Sequence, residues 1–268
     1  MSNAELVYDD LLGRGKQKGS ACAWRAIVVR FEVCCGVKDS YGRVDVIKFL
    51  AQLRKEGISQ NSINTMLRAI KLLCEIQHWA DGFPRLAMPK VRRGDIKRPR
   101  LSVDEVGELI QKAKEVCSKR ELAFLAVATT YGLRREEIGT LKVYDGVVEV
   151  DTRKGGEVTV QLVPDEVKDF IQGYCGSNDP KYMTRVFWRI ADKVGLSFDA
   201  GYGWHSIRRA LATELLLRDV SVVNLLRFMR WSDASLQREV GMLAIYVERK
   251  QGDIDRSVFK VHPFLRFW

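Results

Sequence analysis

Residues 141–163, LKVYDGVVEVDTRKGGEVTVQLV, carry the clearest indication of fold class in this chain. Apolar and polar residues alternate along them, which is the period of a β-strand, whereas the sequence on both sides has the period of α-helices. Asp145-Gly146 is typical of a two-residue type I′ hairpin turn, and Gly155-Gly156 offers a second turn. The pattern predicts a small three-stranded antiparallel sheet in a mainly α-helical protein.

The predicted strands cover residues 141–144, 147–152 and 157–163, with Lys154 at the tip of the second hairpin. An antiparallel sheet of this size needs one face packed on helices, so one set of alternating side chains must be apolar. We assign this face to Val148, Val150, Val158, Val160 and Leu162.

Helical spacing dominates the sequence before residue 89. Three groups of apolar residues recur at intervals of three and four, which is the spacing of one helix face. The groups are Trp24, Ile27, Val28 and Phe31; Val44, Ile47, Phe49, Leu50 and Leu53; and Ile63, Leu67, Ile70 and Leu73. The second predicted helix ends near Gly57, and the third begins after Ser59 or Asn61. Residues 1–89 are therefore predicted to form a small helical domain.

Residues 90–100, KVRRGDIKRPR, interrupt this periodicity with a run of basic residues. A solvated run of charge is the ordinary explanation of such a stretch. We favour an interdomain linker that follows the phosphate backbone of a nucleic acid. The candidate DNA-binding residues in it are Arg92, Arg93, Lys97, Arg98 and Arg100.

A second domain is predicted over residues 101–268. Its first helix has a clear start, because Ser102 and Glu105 form a capping box in which each side chain satisfies a backbone amide of the other's turn. Leu101 and Val106 occupy the two staple positions that flank this box.

The chain is basic, with 44 Lys and Arg residues against 34 Asp and Glu residues and a net charge of +10. A polyanion such as nucleic acid is the favoured partner of a protein with this charge. No run of residues has the apolar length of a signal peptide or a membrane span. We therefore expect a cytoplasmic, DNA-associated protein that makes no membrane contact.

The six cysteines show no paired C-x-x-C spacing, which disfavours a zinc site and favours reduced thiols in an intracellular protein. The sequence also contains no acidic cluster with metal-ligand spacing and no glycine-rich phosphate loop. These features predict a protein that uses no metal ion and no cofactor.

Six residues of the second domain have the types that phosphodiester cleavage by a tyrosine requires. They are Arg134, Lys154, His205, Arg208, Trp231 and Tyr246. Cations must bind the non-bridging oxygens of the phosphate while a proton donor serves the leaving oxygen. Arginine suits the first task, because its planar guanidinium stays protonated and binds phosphate through two hydrogen bonds. Helical spacing alone does not distinguish Arg134 from Arg135, or Arg208 from Arg209.

Two motifs in this order resemble motifs of the tyrosine recombinase (phage integrase) family. GLRREEI at residues 132–138 resembles the first arginine motif of the family, and HSIR at residues 205–208 resembles its His-x-x-Arg motif. The resemblance implies that Arg134 and Arg208 are the catalytic arginines and that Glu137 is a buried carboxylate that orients them. It leaves Arg135 and Arg209 as DNA-backbone or surface residues.

The same resemblance implies roles for three further residues. Lys154 resembles the hairpin lysine that protonates the leaving 5′-oxygen, and Arg153 is an alternative to it. His205 would hydrogen-bond to the phosphate or assist proton transfer. LLRFMRWS at residues 225–232 resembles a segment that usually reads Leu-Leu-Gly-His, so Trp231 would bind phosphate through its indole N–H, and Arg230 replaces the usual glycine.

Tyr246 is the only tyrosine after Tyr202 and is therefore the predicted nucleophile. A free phenol has a pKa of about 10, so nearby positive charge must activate it or it must lose its proton during attack. The segment between Trp231 and Tyr246 is longer than the family usually shows. Delivery of Tyr246 within one subunit and delivery to a neighbouring subunit are both compatible with the sequence.

The resemblance implies an N-terminal helical core-binding domain of SAM-like fold and a C-terminal mixed α/β catalytic domain. It further implies a 3′-phosphotyrosyl intermediate, exchange through a Holliday junction, and a homotetramer on two double-stranded DNA attachment sites. Two alternatives are a type IB topoisomerase-like or resolvase enzyme with the same chemistry, and a non-catalytic DNA-binding regulator with the same fold.

Overall fold

The computed structural model describes residues 2–78, 99–152, 158–198, 201–231 and 250–268. The chain divides into two compact units, Met1–Lys97 and Arg98–Trp268. Residues 79–98, which include most of the predicted basic linker, lie outside the described ranges. The domain boundaries that we derived from the sequence therefore stay predictions.

The described part of the first unit is helical. Its helices are α1 (Asn3–Gly13), α2 (Lys18–Cys35), α3 (Arg43–Lys55) and α4 (Gln60–Ile76). The last three correspond to the three predicted helices, whereas α1 was not predicted. The ring of Phe31 lies 4.7 Å from that of Tyr41 and 5.3 Å from that of Phe49, and these aromatic contacts hold α2 against α3.

The buried face of α3 differs from the predicted one. Val44 and Ile47 were placed on the same apolar helix face as Phe49, Leu50 and Leu53, but Val44 is 78% exposed and Ile47 is 45% exposed. Val46 takes their place, because positions 46, 49, 50 and 53 have the i, i+3, i+4, i+7 spacing of a single stripe. Helix α4 begins after Ser59, whose hydroxyl accepts a hydrogen bond from the Ser62 N–H, and this resolves the choice between Ser59 and Asn61.

The second unit combines helices with one small sheet. Its elements are α5 (Val103–Val116), α6 (Lys119–Tyr131), α7 (Arg135–Thr140), β1 (Lys142–Tyr144), β2 (Val147–Asp151), β3 (Val158–Leu162), α8 (Asp165–Ile171), α9 (Pro180–Lys193), α10 (Trp204–Leu217), α11 (Val222–Phe228), α12 (Gln251–Phe259) and a 3-10 turn (Leu265–Phe267). The predicted capping box at the start of α5 is confirmed, since Ser102 Oγ accepts from the Glu105 N–H and Glu105 Oε2 accepts from the Ser102 N–H. The mainly α-helical class with a small antiparallel sheet is confirmed as well.

The sheet has the order β1-β2-β3, and both strand pairs are antiparallel. Its first turn is not of type I′. Gly146 has a φ of 74°, but Asp145 does not adopt positive φ, and type I′ needs positive φ at both central residues. The glycine alone therefore supplies the left-handed conformation that closes this hairpin.

Strand β3 alternates as predicted, but with the opposite phase. Val158 is 57% exposed and Val160 is 48% exposed, although both were assigned to the core face. Gln161 is buried instead and pairs in register with Val148 of β2. A buried amide needs hydrogen bonds, and the Gln161 Nε2 donates to the Phe228 carbonyl at 3.2 Å. Polar contacts on one side of the sheet therefore set the phase of β3.

Candidate active site

A sharp turn after α6 brings Arg134 to the site. Every residue of α6 from Glu121 to Tyr131 is buried, so this helix forms the centre of the unit. Gly132 ends it in the left-handed conformation, with a φ of 55°. A Cβ atom on Gly132 would lie 2.8 Å from Met229 Cε, the end of a flexible side chain that can shift, so it is the left-handed conformation that favours glycine at this position. Arg134 follows this turn directly as the N-cap residue of α7.

Glu137, in the first turn of α7, is the centre of a buried ionic cluster. Its side chain is 3% exposed, and its Oε2 accepts a hydrogen bond from the Arg134 N–H at 2.8 Å while its Oε1 pairs with the Arg134 guanidinium. Its Oε2 also lies 3.7 Å from Arg208 Nη1 and 3.5 Å from Arg230 Nη2. One carboxylate thus contacts three guanidinium groups, and the cluster keeps an excess of positive charge.

The surrounding charges keep Glu137 ionised. Burial on its own would raise the pKa of this carboxyl group. The charge of Arg230, the N–H of Arg134 and the charges of Arg208 and Arg134 outweigh burial and hold the pKa below its usual value. Glu137 is therefore a carboxylate at neutral pH, as an orienting partner of arginine must be.

Arg208, on α10, is held by backbone carbonyl groups. It is 3% exposed and donates from Nη1 to the Gly132 carbonyl and from Nη2 to the Met229 carbonyl. Its guanidinium carbon lies 6.0 Å from the centroid of the Trp231 ring, within cation–π distance. Burial and the charge of Arg230 lower the pKa of Arg208 to about 9, while Glu137 opposes this shift, so Arg208 is a cation at neutral pH.

His205 lies in the first turn of α10 and is exposed. The residue before it, Trp204, is buried and donates from its indole N–H to the Met183 carbonyl at 2.7 Å, which anchors the start of the helix. A cleft of about 390 Å³ is lined by both Arg134 and His205. Two of the predicted catalytic side chains therefore share one open cleft that is large enough for part of a nucleotide.

The structure brings together five of the predicted site residues: Arg134, Glu137, His205, Arg208 and Trp231. Lys154, its alternative Arg153 and Tyr246 lie outside the described residues, as do Arg92, Arg93, Lys97 and Arg98. Their positions stay predictions.

The remaining predicted DNA-binding residues differ in exposure. Arg135 is exposed, and its Nη1 donates to Thr184 Oγ1 at 3.2 Å. Arg209 is half-buried, and its Nη1 donates to the Pro99 carbonyl at 3.0 Å. Arg100 is exposed. Arg135 and Arg100 thus present their charge to solvent, whereas Arg209 also fastens the start of the unit.

Arg230 is a member of the ionic cluster that the sequence analysis missed. It follows the C-terminal end of α11 with a φ of 53°, and its side chain is 1% exposed. The one feature of the sequence that could have indicated this buried arginine is its position in the LLRFMRWS segment. The resemblance predicts glycine at this position, and glycine adopts the left-handed backbone more easily than other residues do, so an arginine there must gain contacts that offset the strain.

Within the described ranges, no three His, Cys, Asp or Glu side chains are grouped closely enough to hold a metal ion. No helix among the described residues has the length and apolar character needed to cross a bilayer.

Similar sequences and similar folds occur among known proteins. No family model matches the chain. A tyrosine recombinase XerA of Pyrococcus furiosus is 27% identical, over 66% of this chain and 68% of the relative. A crystal structure of lambda integrase bound to DNA has a TM-score of 0.65 at 17% identity and covers 85% of this chain and 91% of that one. A lambda integrase tetramer bound to a Holliday junction has a TM-score of 0.62 at 17% identity, over 89% and 76% of the two chains.

Proposed function

This chain belongs to the tyrosine recombinase family, and we propose that it is a site-specific DNA recombinase that cleaves and rejoins duplex DNA through Tyr246. The observation that carries the proposal is the buried Glu137, which orders Arg134 and Arg208 beside a cleft that His205 also lines. A carboxylate that holds two guanidinium groups in place preorganises a binding site for one phosphate.

In the proposed mechanism, Arg134 and Arg208 bind the non-bridging oxygens of the scissile phosphate. The hydrogen bonds of Arg208 to the Gly132 and Met229 carbonyls occupy two of the five N–H groups that a guanidinium carries. The excess positive charge of the cluster stabilises the charge that builds up on the phosphoryl oxygens in the transition state. His205 and the indole N–H of Trp231 add hydrogen bonds to the same phosphate.

The covalent step is an exchange of one phosphate ester for another. The Tyr246 oxygen attacks phosphorus, the bond to the 5′-oxygen breaks, and a 3′-phosphotyrosyl bond forms. Lys154, or Arg153 in its place, gives a proton to the departing 5′-oxygen, and the phenol loses its own proton during attack. Attack by a 5′-hydroxyl reverses these steps and rejoins the strand. The ester bond is conserved throughout, so the proposed reaction needs neither nucleotide nor metal ion.

The proposed partners are two double-stranded DNA attachment sites held by a homotetramer that forms a Holliday junction. The lambda integrase tetramer on such a junction, which shares this fold, supports the assembly. Arg92, Arg93, Lys97, Arg98, Arg100, Arg135 and Arg209 are proposed to contact the DNA backbone. Such a protein works in the cytoplasm, in association with DNA.

Tyr246→Phe tests the proposal directly. On a nicked duplex that carries the attachment site, we expect the wild-type chain to form a covalent protein–DNA adduct and Tyr246→Phe to form none, because only the attacking oxygen is removed. DNA affinity should stay within about threefold of the wild-type value, since Arg134 and Arg208, which together form the proposed phosphate clamp, are unchanged. Tyr144→Phe, which changes an exposed tyrosine of β1, is the matched control and should form the adduct normally. An adduct formed by Tyr246→Phe would refute the assignment.

The same variant separates the alternatives. Mixing Tyr246→Phe with Arg134→Ala restores activity only if one subunit delivers its tyrosine to another subunit's clamp. Relaxation of a supercoiled plasmid without attachment sites would favour the type IB topoisomerase-like or resolvase alternative. Specific DNA binding without any adduct from the wild-type chain would favour the non-catalytic regulator.

A further inference from the structure

The ionic cluster contains a third arginine, Arg230, that has no place in the mechanism above. We propose that Arg230 is a positioning residue that ties the phosphate clamp to β3 and α12, the two elements that follow Lys154 and Tyr246 in the chain. This inference rests on the proposed function and adds to it a connection among the catalytic groups. Arg230 is assigned a positioning role because both terminal nitrogens of its guanidinium are committed to protein acceptors: Nη1 to Gln161 and the Phe228 carbonyl, and Nη2 to the Tyr131 carbonyl and Glu137.

The backbone of Arg230 adopts a strained conformation that contacts of its side chain must offset. A φ of 53° lies in the left-handed region, where side chains are disfavoured and glycine is not. Only two other described non-glycine residues, His78 and Asp219, have positive φ. The strain at Arg230 persists because the surrounding contacts of the guanidinium hold it there.

On one side, those contacts reach the clamp. Nη2 of Arg230 lies 3.5 Å from Glu137 Oε2 and donates to the Tyr131 carbonyl at 2.9 Å. Tyr131 is the last residue of α6, directly before the turn that delivers Arg134. Arg230 therefore touches both the orienting carboxylate and the backbone that sets the position of the first catalytic arginine.

On the other side, the contacts reach the sheet. Nη1 of Arg230 donates to Gln161 Oε1 and, at 3.0 Å, to the Phe228 carbonyl. The Gln161 amide completes the link, because its Nε2 donates to the same Phe228 carbonyl. This pairing is the reason that β3 turns a glutamine, and not its valines, towards the core.

From β3 the network continues to α12. Gln161 Nε2 lies 3.4 Å from Asp255 Oδ1, and Asp255 Oδ2 accepts from the Leu162 N–H at 2.7 Å. Gln251, the first residue of α12, donates to Asp255 Oδ1 at 2.8 Å. An unbroken series of polar contacts thus runs from the buried Glu137 through Arg230, Gln161 and Asp255 to the half-buried Gln251 at the start of α12.

The sequence places the two predicted catalytic groups next to the ends of this network. Lys154 precedes β3, and Tyr246 precedes α12. Arg230 fixes both elements against the clamp, so losing it should misplace the acid and the nucleophile relative to the phosphate. An ångström of misplacement costs about a hundredfold in rate for a reaction that depends on alignment.

The first test compares Arg230→Gly with the wild-type chain in single-turnover adduct formation on the nicked duplex at saturating protein. Glycine suits the left-handed backbone, so this change removes the guanidinium without adding strain. We expect the rate to fall by about tenfold or more and DNA affinity to change by less than about threefold. Added methylguanidinium should restore part of the rate. Arg256→Gln, which removes an exposed arginine of α12, is the control and should react at the wild-type rate.

The pH profile separates positioning from simple loss of structure. The charge of Arg230 is the largest influence that keeps the pKa of Glu137 low. In Arg230→Gly the pKa of Glu137 rises, so the acid limb of the rate profile should move to higher pH. A merely structural role would lower the amount of active protein without moving that limb. An unmoved limb and a wild-type rate in the folded fraction would overturn the proposal.

Gln161→Met gives a second test that leaves every charge of the clamp in place. It breaks the link between Arg230 and β3 while keeping a side chain of similar length. We expect a slower adduct rate in this variant too, and a double variant no slower than Arg230→Gly alone, since both changes cut the same series. If the rate of the double variant fell by the product of the two single-variant factors, the two residues would act independently and the proposal would be overturned. Adduct formation by the wild-type chain tests the proposed function separately.

Discussion

The two units of the molecule bury very different side chains. In the described part of Met1–Lys97 no polar or charged residue is buried, and its core consists of apolar residues such as Val28, Phe31 and Leu53. In Arg98–Trp268 the buried set includes Glu137, Arg208 and Arg230 among other polar residues. Burial of charge is costly unless it is paired, so a unit that buries several charges does so for a purpose other than stability.

The arginine–glutamate ion pairs of the two units also differ in burial. Arg30 and Glu56 of the first unit pair on the surface, with side chains 38% and 36% exposed. Glu137 pairs with its arginines at 3% exposure. Solvent weakens the first pair and competes little for the second. The first unit is therefore held by apolar packing, whereas the second depends on a complete set of buried partners.

The largest effect is expected from Glu137→Ala. Removing the shared carboxylate leaves buried guanidinium groups without their counter-charge, which should cost about 3–5 kcal/mol in free energy of unfolding and abolish adduct formation. Urea unfolding of the full chain measures the first effect. Glu56→Ala is the matched control at an exposed pair and should cost about 1 kcal/mol or less. Equal losses in the two variants would contradict the contrast between the units.

A somewhat smaller effect is expected from Leu53→Ala in the first unit. Leu53 is fully buried, so truncation leaves a cavity and should cost about 2–5 kcal/mol in free energy of unfolding. Val33→Ala, at a residue that is 81% exposed, should change that free energy by less than about 0.5 kcal/mol. The rate of adduct formation per folded molecule should be unchanged in Val33→Ala. A negligible cost for Leu53→Ala would show that apolar packing does not hold this unit.

The smallest effect at neutral pH is expected from His262→Gln. His262 is buried, and its ring bridges two backbone groups: Nε2 donates to the Thr130 carbonyl at 2.9 Å, and Nδ1 accepts from the Phe264 N–H at 3.2 Å. Glutamine can donate and accept in the same way, so the free energy of unfolding at pH 7 should change by about 1 kcal/mol or less.

The informative readout for this variant is the dependence of stability on pH. Burial, together with the charge of Arg218, lowers the pKa of His262 to about 3 against the hydrogen bond to Thr130. Below about pH 6.5, the ordinary pKa of histidine, His262 is protonated in the unfolded chain but stays neutral in the folded chain. Wild-type stability should therefore fall between pH 6.5 and pH 3 by up to about 1.4 kcal/mol per unit from this residue. Urea unfolding should show a shallower fall for His262→Gln, and identical pH profiles would refute this role.

Much of the architecture could be predicted from local patterns. The capping box at Ser102, the antiparallel sheet and the predicted helices before residue 78 were correct, because caps, turns and apolar spacing act over a few residues. The arginine and histidine motifs also identified side chains that lie around one cleft and one carboxylate. Helix α1 was missed.

The errors have one physical origin. The period of an element follows from its own residues, but which of its faces is buried depends on what packs against it. Val44 of α3 and Val160 of β3 have the apolar character of core residues, yet Val46 and Gln161 are buried instead. A polar residue is assigned to the surface from sequence because its hydrogen-bond partners come from distant parts of the chain.

Arg230 shows the same division most clearly. The sequence by itself determines the periods of the helices and strands and the presence of the arginine and histidine motifs, because each of these depends on residues that are close together in the chain. The partners of Arg230 come from α6, α7 and β3, which are far apart in sequence. Their meeting depends on long-range packing, since a buried guanidinium is stable only where several acceptors converge. Only the fold therefore places Arg230, at a position where the resemblance predicts glycine, in contact with both Glu137 and Gln161.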